Sequence, residues 1–98
     1  MQKCIESTVW GKDLNYEYLE WIYRHAIRLG LKGTTFFRND GSIKVIAEGE
    51  EKNLLLFLKK LKRGRFFIPV FHPVENFFVT WHEPRNEFED FSINENTE

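Results

Sequence analysis

Ninety-eight residues, 42% of them hydrophobic and 30% charged, suffice for one compact core and exclude two. A formal charge of -1 excludes a global attraction to nucleic acid or to an anionic membrane, so only a local patch can act that way. A single cysteine, Cys4, excludes an internal disulfide and a cysteine metal cluster, and no apolar stretch reaches the length of a membrane span.

The N-terminal residues MQKCIESTV have neither a basic start with an apolar run behind it nor a small-residue cleavage site, which places the chain in a reducing cytoplasm. Residues 2 to 10 alternate as a half-covered strand, with Ile5, Ser7 and Val9 on one face and Cys4, Glu6, Thr8 and Trp10 on the other. Gly11 breaks that strand. Lys12 to Glu17 form a loop in which Asn15 is expected to accept a left-handed backbone. From Tyr18 onward Leu19, Ile22, Ala26 and Leu29 recur at spacings of three and four, the pattern of an amphipathic helix that Gly30 stops. Thr34 to Arg38 and Ser42 to Ala47 are β-rich, and Asn39-Asp40-Gly41 between them reads as a hairpin turn. Glu48 to Glu51 are expected to form the acidic first turn of a second helix, with Leu54, Leu55, Leu58 and Leu61 as its apolar stripe and cations toward its end. Residues 66 to 73, FFIPVFHP, carry two prolines and predict an irregular connection, followed by a strand over 74 to 81. A turn at 83 to 86 and a short edge strand over 88 to 93 close the domain, with 94 to 98 as a polar tail.

The order β, α, β, β, α, β with a short final edge strand predicts an α+β, ferredoxin-like split β-α-β sandwich, an antiparallel sheet covered on one face by two helices, within one domain over residues 1 to 93.

The residues GLKG at 30 to 33, DGSIKVIAEG at 40 to 49, the helix EEKNLLLFLKKLKRG, and VTWHEP followed by FEDFSI together resemble the acylphosphatase family over about residues 3 to 93. The resemblance implies hydrolysis of a carboxyl phosphate without a cofactor, by a loop of pattern GxVQGVxFR and an asparagine just before the hairpin turn. Such chemistry needs backbone N–H groups and a guanidinium around the phosphate and an amide to orient water. Carried over, the loop reads GKDLNYEYL: the arginine position is Leu19, the second glycine is Asn15 and the phenylalanine is Tyr18. The asparagine position is Phe37 in an ungapped alignment. Asp13 and Glu17 add negative charge opposed to an anionic ligand.

Two readings of the site follow. One is a binding or regulatory module without acylphosphatase catalysis, in which Gly11, Lys12, Asn15, Tyr16 and Tyr18 of the altered loop, beside Trp21 and Phe37, form a recognition surface. The other is a divergent acylphosphatase in which Arg38 or Arg24 replaces the arginine and Asn39 the asparagine. His25, His72 and His82 lack zinc-type spacing, so no metal site is expected. The basic run at 59 to 65 has no base-stacking motif beside it, so nucleic acid is not the expected partner. Phe66, Phe67 and Phe71 exceed what a connection needs and predict an interface with a protein partner or a second copy.

Overall fold

A computed structural model describes residues 1–11, 14–63, 65–66, 71–72 and 76–94. Strand β1 (Gln2–Trp10) leads into helix α1 (Tyr16–Arg28), then β2 (Lys32–Phe37), β3 (Ile43–Glu50), helix α2 (Glu51–Arg63), β4 (Arg65–Phe66), β5 (Phe71–His72), β6 (Asn76–His82) and β7 (Phe91–Ile93). Five strands form one sheet in the order β6-β1-β3-β2-β7, the expected split β-α-β arrangement. β6, β1, β3 and β2 pair antiparallel, while the closing strand β7 joins β2 in parallel, with Gly33 opposite Phe91. The Cα radius of gyration of 12.6 Å is that of a compact domain of this length.

Alternation sorts the sheet into two faces. Ile5 and Val9 of β1, Ile43, Val45 and Ala47 of β3 and Phe91 of β7 point to the helices and form one cluster with Leu19, Ile22 and Ala26 of α1 and Leu54, Phe57 and Leu61 of α2. In α2 the buried stripe is Leu54, Phe57 and Leu61 with Leu58 at its side, so Leu55, expected in the stripe, is exposed. Residues 54, 57, 58 and 61 follow the three-and-four rhythm of a helix, and Leu55 lies off it.

Three local expectations are corrected. Asn15 is not left-handed: it sits in extended backbone (φ -133°, ψ -177°) as the N-cap of α1, its Oδ1 accepting from the Tyr18 N–H at 3.0 Å. The helix therefore begins at Tyr16, because an asparagine oxygen satisfies one of the N–H groups that a helix start leaves unpaired. Glu48 does not open α2; it belongs to β3 opposite Cys4 and Lys32 and is only 4% exposed. Lys32 and Gly33 are part of β2 and not of the helix exit. At that exit Gly30 (φ +68°) lets the Gly30 N–H donate to the Ile27 carbonyl and the Leu31 N–H to that of Ala26, which caps the last turn.

Within 66 to 73, Phe66 pairs with Phe71 and Arg65 with His72 in a separate two-stranded ladder outside the main sheet. Residues 67 to 70, among them Phe67, and the side chains of Phe66 and Phe71 lie outside the described residues, as do 95 to 98.

Candidate functional site

The loop between β1 and α1 and the hairpin after β2 carry the residues that the resemblance singles out. Gly11 is half-buried at the end of β1, and Leu14 packs against the core from the loop. Asn15 is exposed but its side-chain oxygen is committed to capping. Tyr16, the first residue of α1, is 49% exposed and open to solvent. Lys12 and Asp13 lie outside the described residues.

Tyr18 does not line a recognition surface. With α1 starting at Tyr16, position 18 falls on the stripe that continues through Ile22 and Ala26, and its side chain is 2% exposed. Its hydroxyl is buried without a hydrogen-bond partner among the described residues, and burial pushes its pKa far above the ordinary tyrosine value. The ring lies 5.3 Å from that of Trp21, which in turn lies 4.5 Å from the His25 imidazole, so these three form a row along one side of the helix.

Leu19, 2% exposed, belongs to the central cluster, and Phe37 packs against the same cluster from the end of β2. Both side chains offer dispersion and no hydrogen bond. Past Phe37, the Arg38 N–H donates to the Ser42 carbonyl at 2.8 Å and the Gly41 N–H to the Arg38 carbonyl at 3.0 Å, with Gly41 at φ +86°. This is the three-residue hairpin loop that Asn39-Asp40-Gly41 predicts. Asn39 is exposed on it and Arg38 half-buried. Asp40 accepts from both the N–H and the hydroxyl of Ser42, which holds its carboxyl below the usual range, with Trp10 contributing a further hydrogen bond. Arg24, the other candidate cation, lies on the outer face of α1 beside Glu20, 3.6 Å away.

A polar network on the helix-free face was not legible in the sequence. Glu48 Oε2 accepts from the Arg85 N–H at 2.7 Å and Oε1 from the Asn86 N–H at 3.0 Å. Glu6 stands beside the His82 imidazole at 3.3 Å and the Arg85 guanidinium at 3.4 Å. Cys4 is fully buried next to these groups, and burial followed by the Glu48 charge raises its thiol pKa, so it is not poised as a nucleophile. The sequence signal is the alternation of β3, in which Lys44, Ile46 and Glu48 share a face; the acidic run from Glu48 to Glu51, which suits a helix start, hides it. Among the described residues no cluster of histidine, cysteine and carboxylate side chains is arranged to hold a metal, and no helix is long and apolar enough to cross a membrane.

The family model for acylphosphatase matches residues 5–93. The chain is 34% identical over 91 residues to the acylphosphatase of Dehalococcoides mccartyi, covering 92% of this chain and 96% of that one. It is 30% identical over 89 residues to the acylphosphatase of Caldanaerobacter subterraneus, covering 91% and 90%. Its backbone superimposes on the crystal structure of acylphosphatase from Bacillus subtilis with a TM-score of 0.82 at 26% identity, over 96% of this chain and 99% of that one. Sequence and backbone agree over nearly the whole chain, and the chain belongs to the acylphosphatase family.

Proposed function

We propose that this chain is a cytoplasmic binding or regulatory module on the acylphosphatase fold that does not hydrolyse acyl phosphates by the family's arginine and asparagine. The observation that carries the reading is the burial of Leu19 in the core with Phe37 packed against it, at the two positions where the resemblance puts those side chains. An oxyanion-type site loses ~10² to 10³ in rate for each positioned donor removed, so two apolar replacements leave almost no catalysis by that route. The exposed ring of Tyr16, at the end of the connection that Gly11 opens, is the surface this reading assigns to recognition.

A second reading is favoured by kinship: relatives at 34% and 30% identity over nearly the whole chain are acylphosphatases, which supports hydrolysis of a carboxyl phosphate. In that reading Arg38 and Asn39 supply the cation and the amide from the hairpin. The two are separated by following release of phosphate from acetyl phosphate. The first reading expects the purified chain to match the uncatalysed rate, with Arg38→Ala and Asn39→Ala indistinguishable from it. Clear turnover that either substitution removes establishes the second reading and ends the first.

A further inference from the structure

Helix α1 with its C-cap residue presents His25, Arg28 and Leu29, and α2 presents Leu56, Lys59 and Lys60, to one cleft between them with a volume of about 410 Å³. Each set has the i, i+3, i+4 spacing that puts three side chains on one face of a helix. The cleft is well apart in the chain from the β1–α1 loop and takes no residue from it. Among the described residues its lining carries three cations and no carboxylate, on a molecule whose formal charge is -1. No described carboxylate pairs with Arg28, Lys59 or Lys60, whereas Arg24, one turn before Arg28, is beside Glu20. Attraction to the helix dipole accounts for a cation near the end of its own helix. It does not account for two helices turning their cations into the same concavity, nor for the wall beside them, where Leu56 remains 53% exposed.

His25 adds a directional group. Its Nδ1 lies 2.9 Å from the Trp21 carbonyl, which only accepts, so Nδ1 carries the hydrogen and Nε2 has no described partner. Cations that repel one another across a cleft are relieved by a bound anion, and leucines at its wall favour an apolar body attached to that anion.

We propose that the cleft between α1 and α2 binds a small organic phosphate: Arg28, Lys59 and Lys60 hold the phosphate group, and Leu29 and Leu56 contact the apolar body that carries it. The volume suits a ligand of that size. The site is independent of what the β1–α1 loop does, because none of its residues is placed in that loop.

The test is a titration of the full ¹⁵N-labelled chain with 1-naphthyl phosphate, followed by amide shifts, with inorganic phosphate and 1-naphthol as separate arms. Saturable shifts at His25, Arg28, Leu29, Leu56, Lys59 and Lys60 are expected, tighter for the naphthyl ester than for either arm. Lys59→Gln with Lys60→Gln, both exposed positions, should weaken binding about tenfold or more while the spectrum stays native. Leu56→Ser should weaken the ester and leave inorganic phosphate unchanged. Shifts that do not saturate, shifts confined to the β1–α1 loop, or equal binding by the lysine double variant overturn the proposal. Inorganic phosphate binding as tightly as the ester overturns the apolar half of it.

Discussion

At the scale of single residues, Tyr18 shows how one position decides what a loop can present. A tyrosine after an acidic, aromatic loop suggests a ring with its polar tip at a surface, but the Asn15 cap starts the helix early and turns position 18 into the core. Its hydroxyl then loses water without gaining a partner among the described residues, which costs roughly 1 to 3 kcal/mol. Tyr18→Phe removes only that hydroxyl, so it is expected to raise unfolding free energy by about 1 kcal/mol or more in urea melts at neutral pH. The pH dependence has a definite sign. The folded-state pKa is raised, so at alkaline pH the folded chain retains a proton that the unfolded chain loses near ~10. Stability associated with Tyr18 is therefore full below that pH and falls as pH rises above it; in Tyr18→Phe this part of the fall should disappear. A phenylalanine variant that is less stable at neutral pH shows that the hydroxyl has a partner after all, and one that is equally alkali-sensitive shows that Tyr18 does not carry the alkaline loss.

At the scale of elements, the two helices and the central strands were readable because the residues they give to the helix-side core follow period, 3.6 in α1 and α2 and 2 in β1 and β3. What the sequence hid was set by contacts between elements. Glu48 follows an acidic pattern suited to a helix start, yet pairing with Cys4 and Lys32 extends β3 through it. Gly33 looked like the end of a helix exit and is instead a close approach of two strands. At φ +146° an added Cβ would lie 1.8 Å from the Ile46 carbonyl oxygen, so no side chain fits while β2 and β3 stay paired. The Gly33 N–H also donates to the Asp90 carbonyl at 2.9 Å, which ties the approach to β7. Gly33→Ala is expected to cost more than about 3 kcal/mol, combining backbone strain with a broken ladder. Gly41→Ala, with nothing within 4 Å of the added carbon, bears only the left-handed strain and should cost clearly less. Comparable thermal midpoints for the two variants would show that β2 moves aside cheaply.

At the scale of the molecule, β6 and β7 lie at opposite edges of the sheet, so residues 83 to 90 must cross it from one edge to the other. Glu48 shows which face they take. It points away from the helices, since Ala47 and Gly49 face them, and both its oxygens accept from the backbone of this crossing segment. The Arg85 guanidinium near Glu6 adds a second point of attachment, though a partly exposed ion pair of this kind is worth little by itself. A strap on the helix-free face explains why Cys4 is fully buried though it lies outside the helix-side cluster. It also explains how a strand of three residues, β7, stays on the sheet edge: its approach is held at Gly33 and its exit by the Asn94 N–H on the Thr35 carbonyl at 2.9 Å. Glu48→Gln keeps the shape of the side chain and replaces one acceptor with a donor facing an N–H. That change should cost about 1 to 3 kcal/mol, and the loss should be felt first along the strap. Hydrogen exchange is expected to quicken at the Arg85, Asn86 and Gly33 amides well before it does at Ile5 or Val45, because the helix-side core is untouched by the change. If all these amides quicken together, Glu48 supports the whole sheet and the strap is not a separate unit; if none does, its two hydrogen bonds are dispensable and the crossing segment is held by its ends.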